Sequence, residues 1–441
     1  MPVADLSTLP PQERAEKSLL FKPFQLGGMG RLEHRIALAP LTRNRGRPSD
    51  KHEGTWVPWD IQTKYYTQRA TKGGLLISEA LPISLQARAG SMFNVPGIFT
   101  DEQKEGWKSV VEAVKPTGAV FVAQLFHGGR SGGHTALSRA VSSSATRIES
   151  SLMGGPGDVP DEMTLEDIKR TIGDYVQCAK NAIEAGFDGI EIHGGNGYLP
   201  DQFLHSNVNK RTDAYGGSIG NRNRFVIELC EAVASAIGPD KFGLRLAPYG
   251  FFNETRGTQR TEQWSELCRA LAPKGYAYIH FMEARYDEVL SEQTKLSALG
   301  QEMSTDFSSD GLPTLEPFRA ILGKDTPMIV AGGYDTENCW EVVDSGRADI
   351  IAFGRFFTSN PDLVWRIQNG KELVKYIRPL FYVWPEGKPA QGYVDFANHE
   401  ENVHTQEEKL VLEEHKKRGI VVAKPGWQLS QDGVQLGEIF V

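Results

Sequence analysis

From residue 36 onward, short apolar runs rich in Val, Ile, Leu and Phe alternate with longer segments whose apolar positions recur at helical spacing. The runs are IALAPLT (36–42), LLISEAL (75–81), AVFVAQLF (119–126), FDGIEIH (187–193), FGLRLAP (242–248), YAYIHFME (276–283), PMIVAGG (327–333) and DIIAFG (349–354). Between the third and fourth, LEDIKRTIGDYVQCAKNAIEAG puts Ile168, Ile172, Tyr175, Val176, Ala179, Ala182 and Ile183 on one helical face and stops at Gly186. TDEQKEGWKSVVEAVKPTG and NRNRFVIELCEAVASAIG repeat that arrangement. Eight strand and helix units in one series predict an α/β fold, a closed (β/α)8 TIM barrel, with an open doubly wound sheet as the alternative.

The insertions follow strands rather than helices. Segments 127–163, 194–220 and 284–311, after strands three, four and six, are long, polar and rich in Gly and Ser, and in a barrel that end carries the active site. Residues 1–20 read as an N-terminal arm, and FKPFQLGGMGRLEHRI, which follows, as a hairpin lid for the barrel's other end. The barrel domain is expected over 21–396, followed by a C-terminal extension over 397–441. In that extension TQEEKLVLEEHKKRG is a helix with Thr405 and Glu408 at capping-box spacing and Gly419 as its stop. Trp427, Ile439, Phe440 and Val441 make the tail apolar enough to need a surface, either the barrel's own or a second subunit's in a homodimer.

Composition narrows the partners. The net charge is −8 with both signs mixed along the chain, so no nucleic-acid footprint and no anchor on acidic lipid is expected. Cys178, Cys230, Cys268 and Cys339 form no C-x-x-C pair, which fits a reducing compartment, and with no apolar leader or span a cytoplasmic location is expected.

Barrel chemistry is read at the strand ends. These offer Pro40, Leu41 and Thr42; Gly73 and Gly74 leading into Ser78 and Glu79; Gln124, Phe126 and His127; His193, Asn196 and Tyr198; Arg245; His280; Gly332 and Gly333; and Gly354 and Arg355. Glycines after strands seven and eight let backbone N–H groups approach a phosphate, with Arg355 supplying charge; alternatively they only make tight turns. His193 and Asn196 are spaced to donate together to one oxygen, and Tyr198 to deliver a proton as a general acid. The competing possibility is that they satisfy the loop and pack. Zinc held by His127, His193 and His280 is the rival chemistry, but no H-x-H or H-E-x-x-H motif supports it and no metal site is expected.

HGGNGYLPDQFL followed by NKRTDAYGGSIGNRNRF, together with APLTR, GGLLISEA, AGGY and FGRFFTSNPDL, resembles the Old Yellow Enzyme family of FMN-dependent ene-reductases. The resemblance runs from about Phe21 to about Phe396. It implies FMN bound tightly but non-covalently at the barrel mouth, NADH or NADPH as reductant, and an activated alkene as substrate in a ping-pong cycle. Pro40, Leu41 and Thr42 would line the flavin ring, and Gly73 and Gln124 would contact its pyrimidine edge. Arg245 would stabilise negative charge on it, and Gly332, Gly333, Gly354 and Arg355 would bind its phosphate. His193 and Asn196 would hold the substrate's activating oxygen and Tyr198 would donate the proton. Phe381 and Tyr382, in RPLFY, match a segment that covers the flavin and contacts substrate. Phe126, another expected substrate contact, stands where well-known members carry tryptophan, so facial selectivity does not transfer. Three functions are weighed: an ene-reductase acting on α,β-unsaturated carbonyl or nitro compounds; a specialised biosynthetic oxidoreductase or isomerase on the same cofactor; and a non-flavin barrel, either a metal-dependent lyase or hydrolase or a scaffold retained only for binding.

Overall fold

The computed structural model describes residues 6–88, 93–150, 155–287, 290–303, 313–424 and 427. Eight parallel strands close into a barrel: β1 (Ile36–Leu38), β2 (Leu75–Pro82), β3 (Val120–Phe126), β4 (Gly189–Gly194), β5 (Phe242–Leu246), β6 (Tyr278–Met282), β7 (Met328–Ala331) and β8 (Ile350–Phe353). β8 pairs with β1 through Ala352 and Ala37, which completes the ring. Every residue of β2, β3 and β4 is buried, because the barrel interior covers one face and the helical ring the other. β1 is shorter than the expected 36–42. Pro40 has no N–H to give the ladder, and the chain turns away towards the mouth.

The helix after β3, Leu165–Glu184, starts where the Thr164 side chain accepts the Asp167 N–H, and it buries Ile168, Tyr175, Ala179 and Ala182. The helices Asp101–Val114 and Ile219–Ile237 begin in the same way, on Thr100 and Ser218. The hairpin Phe24–Leu26 and Gly30–Leu32 plugs the N-terminal end of the barrel, its Leu26, Met29 and Leu32 packing among Leu75, Val122, Tyr278 and Ile329. Gly189 is needed there, since a Cβ would lie 2.5 Å from the Met29 methyl.

Beyond the barrel, the helix Gln406–Arg418 has the expected Thr405 and Glu408 capping box. Two short strands, β9 (Leu373–Val374) and β10 (Val422–Ala423), then pair antiparallel and bring the extension back to the barrel. Trp427 packs on the barrel's own aromatic side chains, whereas Ile439, Phe440 and Val441 lie outside the described residues. All four cysteines are buried and free. Among the described residues no helix is long and apolar enough to cross a membrane.

Candidate active site

At the C-terminal ends of the strands lies an open cleft lined by residues from the barrel strands and from the loops around them. Fourteen of the expected site residues line it: Pro40, Leu41, Thr42, Gln124, His193, Asn196, Tyr198, Arg245, Gly332, Gly333, Gly354, Arg355, Phe381 and Tyr382.

Two expected residues do not. Gly73 sits ahead of β2 at the barrel's opposite end, where its N–H donates to Gly118 O and its carbonyl accepts from the Glu33 N–H. A pyrimidine contact by Gly73 is therefore corrected: the whole length of β2 separates it from the mouth. Phe126 is fully buried and absent from the lining, because the Tyr198 ring stands edge-on over it at 4.5 Å and Ala80 packs beside it. It backs the site rather than touching what enters it.

The turn after β4 is held from three sides. Asn196 and Gly197 both take left-handed backbone (φ 57° and 67°), a conformation asparagine and glycine tolerate best. The Gly197 N–H donates to the Asp201 carboxylate (2.8 Å), Gln202 Nε2 donates to Gly197 O (2.7 Å), and Asn253 Nδ2 donates to Asn196 O (2.9 Å). His193 Nδ1 accepts from the Gly195 N–H at 3.4 Å, which leaves Nε2 as the protonated nitrogen. Burial, reinforced by Arg245 and His280, holds this imidazole well below its ordinary pKa, so it is a neutral donor. Tyr198 is boxed by Phe126, by the His193 ring at 4.9 Å and by Phe252 at 6.3 Å.

Beneath the cleft Glu191 organises a buried network. Gln124 Nε2 donates to one Glu191 oxygen at 2.7 Å and His280 Nδ1 bonds the other at 2.9 Å. With one N–H of its amide given to Glu191, Gln124, which lines the cleft, keeps a second N–H and a carbonyl oxygen as donor and acceptor for a ligand. His280, placed with His127 and His193 in the zinc hypothesis, is thus engaged by Glu191, and burial lowers its pKa. His127 Nδ1 instead accepts from the Gly129 N–H. Among the described residues no three His, Cys, Asp or Glu side chains are grouped as a metal site. Arg245, 7% exposed, has a buried Nε with no acceptor among the described residues. A desolvated cation in a cleft calls for an electron-rich ligand.

Gly332, Gly333, Gly354 and Arg355, the residues expected to bind a phosphate, all line the cleft. The helix following Gly354, Arg355–Ser359, is only five residues long, so its dipole is small and Arg355 is the stronger source of positive charge beside it. Gly332 (φ 126°) has no room for a side chain, since a Cβ would lie 2.8 Å from that of Tyr286. An acceptor from Gln124, a cation from Arg245, an apolar rim from Pro40 and Leu41, and the glycine and arginine corner fit a phosphorylated, planar, hydrogen-bonding cofactor.

The mouth's far wall comes from residues beyond the barrel. Arg43 and Arg45, both 1% exposed, donate to the main chain of 380–392: Arg43 Nε to Phe381 O at 3.1 Å, Arg45 Nη1 to Phe381 O at 2.8 Å and Arg45 Nη2 to Leu380 O at 2.9 Å. Glu79 faces this pair instead of the cleft; burial pushes its pKa up to about 7 against the opposing pull of Arg43 and Arg45. Sequence reading missed Phe252, Tyr286, Met282 and Arg378, which line the cleft from two short 3-10 turns, a loop and a strand end. It also missed Glu191, whose signal was a lone carboxylate inside an apolar strand.

A barrel with this mouth defines an oxidoreductase scaffold for a phosphorylated ring cofactor. The chain belongs to the NADH:flavin oxidoreductase / NADH oxidase family, whose model matches residues 19–373, and it is an FMN-dependent member of the Old Yellow Enzyme group. Flavin oxidoreductase hxnT of Emericella nidulans is 45% identical over 389 residues, 86% of this chain and 97% of that one. Chanoclavine-I aldehyde reductase fgaOx3 of Penicillium roqueforti is 41% identical, covering 86% and 96%. Among solved structures, morphinone reductase superposes with a TM-score of 0.74 at 34% identity, over 88% of this chain and 98% of that one. The old yellow enzyme homologue of Zymomonas mobilis gives 0.73 at 32% identity, over 86% and 99%. The protein is thus an NAD(P)H-dependent flavin oxidoreductase.

Proposed function

We propose that the protein is an ene-reductase, taking reducing equivalents from NADH or NADPH and delivering them, in a ping-pong cycle at one site, to the C=C bond of an α,β-unsaturated carbonyl or nitro compound. The observation that carries this reading is that His193, Asn196 and Tyr198 line one cleft, with the His193 and Tyr198 rings 4.9 Å apart. Two fixed donors suit an activating oxygen, and a phenol beside them suits a carbon that must be protonated. Bound FMN supplies hydride transfer. Neutral His193 and Asn196 polarise the substrate oxygen and stabilise the charge that develops on it. The Tyr198 hydroxyl delivers the proton to the adjacent carbon. Thr42, Gln124 and Arg245 would hold and tune the flavin ring, Gly332, Gly333, Gly354 and Arg355 would hold its phosphate, and Phe381 and Tyr382, also in the cleft lining, would cover the flavin and contact substrate. Relatives named as an aldehyde reductase and as 12-oxophytodienoate reductases support a substrate with a conjugated oxygen.

The purified protein should show a flavin spectrum that bleaches under anaerobic NADPH or NADH and returns on adding cyclohexenone. Tyr198→Phe should slow that return by about a hundredfold or more, the scale of general-acid catalysis, and leave bleaching intact. Equal loss of both steps would make Tyr198 structural, and a colourless protein would end the ene-reductase reading.

A further inference from the structure

The matched family region ends at residue 373, and 88% of this chain suffices to cover 98% of morphinone reductase. What lies past residue 373 nevertheless returns to the cleft. β9 is stitched to the short helix that carries Arg355: Asn360 Nδ2 donates to Val374 O at 3.0 Å, Asn360 Oδ1 accepts from the Val374 N–H at 2.8 Å, and Ser359 Oγ donates to Val374 O at 2.9 Å. β10 pairs along β9, and the Lys375 N–H donates to Val421 O at 2.8 Å. Four residues after β10, Trp427 sets its ring 4.8 Å from Tyr376 and 6.2 Å from Phe356, with Lys375 Nζ 4.9 Å over its face. Tyr376 in turn lies 5.8 Å from Phe356 and 5.4 Å from Phe381, and both of these line the cleft.

We propose that Trp427 is a positioning residue: through Tyr376 it braces Phe356 and Phe381 from behind, and so sets how tightly the cleft holds its flavin. The inference rests on the flavin reading above. A helix of five residues has too few internal bonds to keep its own place, so the packing behind it decides where Arg355 and Phe356 stand. The wall that touches the cofactor thus depends on a segment contributed from the far end of the chain. Its contacts with Tyr376, Phe356 and Lys375 are all made by the ring, so a ring is required at 427 and an alanine cannot substitute.

The test is reconstitution of flavin-free protein with FMN, followed by FMN fluorescence quenching and by visible circular dichroism of the bound flavin, for wild type, W427A and W427F. W427A should weaken FMN binding by about tenfold, the upper range for losing a set of aromatic contacts, and alter the visible dichroism. W427F should stay within about twofold of wild type. The proposal is overturned if W427A lowers the melting temperature while FMN affinity and dichroism stay unchanged, or if W427F binds as weakly as W427A. Wild-type protein that takes up no FMN would overturn the flavin reading itself, a result separable from either.

Discussion

Arg45 gives the sharpest test of how the mouth is held. Its guanidinium donates to Phe381 O at 2.8 Å, Leu380 O at 2.9 Å, Gln391 O at 3.3 Å, Pro389 O at a long 3.4 Å and Arg43 O. Arg45→Met keeps most of the stem and removes every donor. Phe381 O would keep its 3.1 Å bond from Arg43 Nε, but Leu380 O would be left with a long one, 3.4 Å, from Arg43 Nη2. The carbonyls of Pro389, Gln391 and Arg43 would lose the Arg45 donor altogether. Each buried acceptor left short costs about 1–3 kcal/mol. Water reaching the half-buried Gln391 carbonyl and relief of the Arg43–Arg45 repulsion offset part of this, leaving a net effect of about 3 kcal/mol. Spread over the whole chain, that lowers Tm by only about 3 °C. Concentrated on 380–392, it raises the population with Phe381 and Tyr382 displaced by about a hundredfold. Hydrogen exchange read on a peptide spanning 378–393 should lose protection on that scale, and KM for the alkene should rise. Arg45→Lys should behave like Arg45→Met, because one ammonium cannot serve a fork of carbonyls. Unchanged exchange in 378–393 alongside a lowered Tm would refute the clamp.

Two further outcomes follow from the cleft's electrostatics. Arg245→Met removes a buried cation facing the flavin's seat, and the midpoint potential of the bound flavin should fall by about 30 mV or more, equivalent to ~1.4 kcal/mol for a two-electron couple; an unchanged potential would show that the charge is neutralised elsewhere. His193 has a depressed folded pKa, so its contribution to stability is complete above the unfolded value of about 6.5 and is lost as pH falls towards the folded one. Between pH 8 and 6 it remains a neutral donor, and kcat/KM for alkene reduction should show no acid limb from it; a limb near pH 6.5 that disappears in His193→Gln would contradict the assignment.

The parts of the site legible in the chain were those whose chemistry is local. His193, Asn196 and Tyr198 fall within six residues after one strand, and Gly332 marks backbone that must stay bare. Gly73, a contact implied by the resemblance alone, misled because it stands just ahead of β2, whose other end is the one that reaches the mouth. Phe126 misled because its strand points it towards the mouth, where Tyr198, from the next strand's loop, covers it. Glu79 stands at the β-bulge between Ile77 and Ala80 and so faces Arg43 and Arg45, a reversal that periodicity alone misses.

The sequence by itself determined the eight strand and helix units, the end of the barrel that carries the cleft, the placing of His193, Asn196 and Tyr198 in its lining and the capped helix of the extension. These depend on spacing along one segment, where apolar period, caps and glycines act over a few residues. Tertiary structure alone decided that Glu191 takes one N–H of the Gln124 amide, that two buried arginines fasten the Phe381 and Tyr382 segment, and that Trp427 returns to stand behind Phe356. Each of those joins residues far apart in the chain, and only closing the barrel removes the water that would otherwise satisfy them.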